Sequence, residues 1–274
     1  IEREIIKRAL ITAPSRIFII YGEWGTGKTH SIRYFSQEEV LKEISKDVGV
    51  ETPIVISTNI PVSEVLSTIY FDIVEYIELN YIREIIKDLI GKEIVSPPQI
   101  LRELEHHLKD RNLIQALSNI FDRRKHRIIK RYLVKSARST ELEKIGVSRN
   151  PETYSDMVRI LSDIIKLLMY SFESKNFTRK VFLWLDEAEH IDDLSSKEIS
   201  ALSNLIRDLI DYIPYNLIII MNFSKRTPRE LFETLDYLGD AVIERIYKLV
   251  EIPQLNLEEA IEYVKEKLKA EIRS

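Results

Sequence analysis

The sequence predicts an α/β fold: a parallel sheet flanked by helices and interrupted by a large helical insertion. Three observations carry this. The apolar, β-branched run Arg16-Ile17-Phe18-Ile19-Ile20-Tyr21 ends on a glycine-rich loop and gives way to helical spacing. Two further runs, Val181–Leu185 and Leu217–Met221, contain no polar residue, as expected of parallel strands buried on both faces. Between Asn59 and Val181 lie about 120 residues of almost wholly helical periodicity.

The elements follow in order. After the first strand and its loop, Ile32, Phe35, Val40, Leu41 and Ile44 have helical spacing. Ile54–Thr58 reads as a second strand, closed by Asn59 and Pro61. Helices are then expected over 62–79, with Val65, Leu66, Ile69 and Ile73 on one face, and over 81–90. Pro97-Pro98 mark a break, and helical spacing continues from Ile100 to Phe121. Met157 to Phe172 forms an apolar helix leading to the strand Val181–Leu185. Ser196 to Tyr212 is a further helix, with Leu202, Leu205, Ile206 and Leu209 facing one way. Tyr247–Ile252 is a last strand candidate before Pro253, and Leu257–Ile272 an amphipathic helix. The expected division is a core of 1–60 and 151–252, a helical insertion of 61–150, and a tail of 253–274. Ile1 in place of Met suggests a piece cut from a longer protein.

Three of the seven glycines fall within Gly22-Glu23-Trp24-Gly25-Thr26-Gly27-Lys28-Thr29. The window fits the P-loop pattern G-x-x-x-x-G-K-[ST] at every position, between a strand and a helix. Backbone N–H groups of such a loop point inward and cradle phosphate oxygens, aided by the following helix N-terminus. Lys28 is placed to reach the β- and γ-phosphates of ATP, and the Thr29 hydroxyl to bind Mg²⁺. His30 is counted with the binding loop, although following Thr29 on the helix it reads rather as a packing or surface residue.

Val181–Leu185 runs straight into Asp186-Glu187. Carboxylates at the C-terminal end of a buried parallel strand stand where open α/β sheets bind ligands. Asp186 fits the Walker B role of holding Mg²⁺, and Glu187 that of a general base for water. Without the P-loop, the pair would read as an acidic turn, because Glu189, Asp192 and Asp193 follow. Asn222, at the end of the run Leu217–Met221, is expected to contact the γ-phosphate or the attacking water.

Composition sets bounds. The chain has 274 residues, 45% of them hydrophobic, ample for a core, and a formal charge of −4, which gives no global nucleic-acid signature. It has no cysteine, which excludes disulfides and cysteine metal sites. The five histidines lack metal-ligand spacing. No apolar run approaches the ~18 residues of a membrane span and no signal peptide is visible, so a cytoplasmic setting is expected.

One segment runs against the acidic balance. Eight basic residues and no carboxylate lie between Arg123 and Arg138: Arg123, Arg124, Lys125, Arg127, Lys130, Arg131, Lys135 and Arg138. As a helix with Ile128, Ile129, Tyr132 and Leu133 facing inward, it would present a basic stripe suited to duplex DNA or to RNA. A solvated face paired with carboxylates elsewhere, or an acidic protein partner, remain alternatives.

The ordering of motifs resembles the AAA+ ATPases, most nearly the Orc/Cdc6-like and related archaeal ATPases. The resemblance rests on Gly22–Thr29, Leu183–Glu187, Ile218–Asn222, 240–245 and 253–260. It covers a little over half the chain. It implies hydrolysis of Mg-ATP to drive conformational change, and the basic stripe makes DNA association the favoured setting. Asn222 is implied as sensor 1. Arg245 is implied as an arginine finger completing a neighbour's site in a homo-oligomer, with Arg226 and Arg229 as rivals. Asn59 is implied as a restraint on Glu187, and 253–274 as the start of a truncated helical lid. No residue matches the family's sensor 2 arginine. A nucleotide-dependent switch or scaffold of the STAND type, acting on a protein partner with little turnover, is the alternative. A protein-remodelling unit is a weaker third, since no aromatic pore loop is identified.

Overall fold

The computed structural model describes residues 2–91 and 96–254. Five strands form one sheet: β1 Arg16–Gly22, β2 Ile54–Asn59, β3 Val181–Asp186, β4 Leu217–Ser224 and β5 Ile246–Glu251. All are parallel, in the order β2-β3-β4-β1-β5. β4 therefore lies between the P-loop strand and the strand that ends in Asp186. The register pairs Asn59 with Asp186, Leu185 with Met221 and Ile20 with Asn222. Three polar side chains from three strands thus reach the same C-terminal edge.

Alternation along each strand explains the unbroken apolar runs. Phe18, Ile20, Phe182, Trp184, Ile218 and Ile220 face one layer, with α1 Glu2–Ile11, α2 Lys28–Phe35 and α3 Glu38–Val48. Ile17, Ile19, Ile56, Leu183, Leu185 and Ile219 face the other. A strand covered on both sides gains from apolar residues at every position.

The second layer begins with α4 Val65–Tyr76 and α5 Leu79–Ile90, close to the expected spans. Ile100 to Phe121 is not one helix. It is α6 Pro97–His107 and α7 Arg111–Leu117, separated by a turn at Leu108–Asp110. Two buried carboxylates fix that break. Asp110 caps α7 by accepting from Leu113 N at 2.7 Å, while Asp163 accepts from the backbone N–H groups of Lys109 and Asp110. Helical spacing on both sides hid the turn, because the apolar face resumes in register. Pro97 stands at the start of α6, where a missing N–H is harmless.

The basic segment is not one helix either. It comprises a 3₁₀ turn Arg123–Lys125, α8 His126–Leu133, a left-handed Lys135 (φ 57°), and then α9 Ser139–Ile145. Ile129, Tyr132 and Leu133 are buried as expected, whereas Ile128 is only partly so.

The chain returns through α10 Tyr154–Leu168 to β3, then passes through α11 Ser196–Tyr212, α12 Pro228–Leu238 and α13 Asp240–Ile243. Insertion residues such as Leu104, Leu113 and Ile145 belong to the same core cluster as Ile19 and Ile219. The expected helix Leu257–Ile272 lies outside the described residues. Among the described residues, no helix is long and apolar enough to cross a membrane.

Candidate nucleotide site

The loop after β1 has the conformation its sequence demands. Gly25 and Gly27 take φ of 83° and 95°, left-handed values that strain other residues. Gly22 is needed for space instead: a Cβ there would lie 2.5 Å from the Ile252 carbonyl oxygen. Ile252, just past β5, donates to the Tyr21 carbonyl at 2.7 Å and brings that backbone across the loop.

Lys28 is buried at the start of α2. Its ammonium donates to the carbonyls of Gly22 and Glu23 at 2.9 and 2.8 Å and to Thr26 Oγ1 at 3.3 Å. Burial lowers its pKa from the ordinary lysine value, while Glu189 and Asp186 act in the opposite sense. The Glu23 carboxylate bonds Gln254, and Trp24 stands 88% exposed at the mouth of the loop.

The acidic strand end meets the loop. Thr29 Oγ1 donates to Asp186 Oδ2 at 2.8 Å. The other oxygen of Asp186 accepts from Asn222 Nδ2 at 3.2 Å. Asn222 is buried, and its carbonyl oxygen accepts from Trp184 Nε1 at 3.0 Å. The amide is therefore fixed in orientation and turned toward Asp186. Glu187 follows in a left-handed conformation (φ 56°), and its Oε2 accepts from Asn59 Nδ2 at 2.9 Å. Non-glycine residues held in this region concentrate at functional sites.

A cavity of about 270 Å³ opens between loop and strand end, lined by the loop from Trp24 to His30, by Asp186 and Glu187, and by Glu189 and Ser224. The last two were not anticipated. Glu189 accepts from Ser224 N at 3.1 Å, which closes the β4 end over the cavity. Its only trace in the sequence is the acidic run after Glu187, which also fits a solvated turn.

Thr29 and Asp186 present a hydroxyl and a carboxylate to one point, the hard oxygen donors Mg²⁺ prefers. Among the described residues, no group of three or more His, Cys, Asp or Glu could hold a metal unaided.

The arginines lie apart. Arg245 immediately precedes β5, at the opposite edge of the sheet, where it pairs with Asp211 at 2.6 Å and donates to the Ala241 carbonyl. Arg229 pairs with Glu233 within α12. In the basic segment, Arg124 pairs with Asp122 and Arg131 with Glu141, and Lys125 donates to Asn119. Lys135 lies over the rings of Tyr70 and Phe71.

A strand, a phosphate loop, a helix, and an acidic strand end one strand removed together define a P-loop NTPase. More narrowly, a family profile described as the KAP family P-loop domain matches residues 4–271, and the chain belongs to that family. Among solved structures, it is similar to the Walker-type ATPase PABY2304 of Pyrococcus abyssi, with 14% identity and a TM-score of 0.43. That match covers 98% of this chain and 57% of the other, so this chain spans little more than half of that protein's length. A comparison with curated proteins gave no match. The class expected from the motifs therefore holds at the level of the P-loop NTPase.

Proposed function

We propose that the chain binds Mg-ATP and hydrolyses it in an AAA+-like manner to drive conformational change. The observation that carries this reading is the convergence of Thr29, Asp186, Asn222 and Glu187 beside the P-loop. Lys28, freed from the loop carbonyls, neutralises the β- and γ-phosphates. Thr29 and Asp186 would hold Mg²⁺, which when bound supplies charge neutralisation to the phosphates. Asn222 orients Asp186 through its amide, itself held by Trp184. Glu187 takes the proton from the attacking water, once released from Asn59. Glu187→Gln is the test: turnover falls by ~10²-fold or more while ATP affinity is kept. Unchanged turnover removes Glu187 from the mechanism.

The Asn59–Glu187 bond also favours a second reading, a STAND-type switch that retains nucleotide with little turnover. Slow release of bound nucleotide and very low basal hydrolysis would favour it. The insertion, read as 61–150 within a core of 1–60 and 151–252, is then the part that moves, in a cytoplasmic setting.

Two partners belong to the reading. Duplex DNA is proposed for Arg123, Arg127 and Lys130, all of which are exposed. A homo-oligomer is proposed in which Arg245 leaves Asp211 to complete a neighbour's site, a role worth about 10³-fold or more in rate. Arg245→Ala lowering turnover only above an assembly concentration would support it.

A further inference from the structure

The turn after β3 holds the entry to the insertion as well as the acidic site. β2 ends at Asn59, and the next residue is tied to the β3 end twice. The Ile60 N–H donates to the Asp186 carbonyl at 2.9 Å, and the Ile60 carbonyl accepts from His190 Nδ1 at 2.8 Å. Ile60 is fully buried. A buried carbonyl past the end of its strand has no ladder partner and must find one elsewhere. His190, half-buried in the turn after Glu187, supplies it. Because a carbonyl only accepts, Nδ1 carries the proton in this arrangement.

One residue earlier, the Asn59 side chain holds Glu187, but that bond is exposed to solvent. Water competes for it, so on its own it is weak. Its persistence depends on how firmly the backbone beneath Asn59 is held. The same few residues lead into the insertion. The Thr58 hydroxyl bonds Asp72 on α4, Glu64 is left-handed (φ 52°) at the α4 N-terminus, and Val65 N donates to Glu198 of α11 at 3.0 Å. Movement of residues 59–60 is therefore movement of the α4 entry.

We propose that His190 is a positioning residue: by gripping the Ile60 carbonyl it keeps Asn59 on Glu187 and passes displacement of α4 to that carboxylate. Its kinetic consequence rests on the hydrolysis reading above; its structural consequence does not.

The test uses five variants of the chain. His190→Phe keeps a ring without a donor. His190→Asn keeps a donor near the Nδ1 position, and His190→Gln places it elsewhere. Asn59→Ala and the double variant Asn59→Ala/His190→Phe complete the set. His190→Phe, His190→Gln and Asn59→Ala should each raise basal kcat about five-fold, the equivalent of one hydrogen bond, with ATP affinity unchanged. The double variant should match the larger single effect, because both act through one interaction. His190→Asn should behave as the parent. Hydrogen exchange of the Ile60 amide should quicken in His190→Phe and His190→Gln and be restored in His190→Asn. Parental exchange in both His190→Phe and His190→Gln overturns the proposal, as do fully additive kinetic effects. If Glu187→Gln leaves turnover unchanged, the hydrolysis reading fails, and the exchange measurement alone decides the role of His190.

Discussion

The nucleotide edge of the sheet and the basic segment of the insertion were both conspicuous in the sequence, yet folding treated them differently. At the edge, residues far apart in the chain converge: Lys28, Asp186 and Asn222 come from three elements and touch. In the insertion, residues adjacent in the chain disperse, and Arg124, Lys125, Arg131 and Lys135 each find a separate local partner. A motif that fixes backbone geometry survives folding as a site. A run defined only by charge survives only in part, since each long side chain can seek its own acceptor.

The strongest way to break that contrast is at Lys28. Lys28→Ala should weaken Mg-ATP binding by about 100-fold, the loss of charge-assisted bonds to two phosphates, measured by calorimetry. It should leave the fold intact, because the lysine ammonium bonds only carbonyls and a hydroxyl of its own loop. Retained affinity would mean that the loop is structural, and the two regions would then differ only in burial.

Much of the edge was legible beforehand for a physical reason. The glycine positions are dictated by left-handed φ at Gly25 and Gly27 and by the approach of Ile252 to Gly22, so the pattern encodes a shape. Asn222 was identifiable because strand ends in a parallel sheet share one edge, and Asn59 through the family resemblance. Glu189 and His190 were not, since their roles depend on how a six-residue 3₁₀ turn folds back on β2 and β4. The break between α6 and α7 was hidden likewise. It is set by Asp163 on α10, 53 residues beyond Asp110.

That buried carboxylate sharpens the comparison from the insertion's side. Burial pushes the Asp163 pKa up from 3.8 to about 6, against the backbone N–H groups of Asp110 and Lys109 and the Lys166 charge, which draw it down. A folded pKa above the unfolded one means the folded state binds the proton more tightly. The stabilisation is therefore fully present below pH 3.8 and is lost as pH rises through about 6. Asp163→Asn should accordingly cost more stability at pH 4 than at pH 7, by about 2 kcal/mol, in paired denaturant titrations. Equal costs would show that the backbone donors, not burial, govern the group. The insertion would then be pinned by an ionised Asp163, at a strength independent of acidity over this range.

The smallest expected effect probes what remains of the basic stripe. Arg127 and Lys130 stand three residues apart on α8, both exposed and facing a groove whose other wall carries Glu75 and Glu78. If duplex DNA lies along α8, each residue neutralises one phosphate, and the acidic wall keeps the footprint small. Replacing both by alanine should weaken DNA binding only several-fold at moderate salt. The sharper quantity is the slope of log K against log salt concentration, which should fall by about 2, near 0.9 for each phosphate no longer neutralised. Arg131→Ala, by contrast, should leave the slope unchanged while destabilising the junction it makes with Glu141 and Ser136. A slope untouched by the Arg127/Lys130 pair would leave the segment as a solvated face, because two cations whose removal releases no fewer counterions cannot be lying against a phosphate backbone.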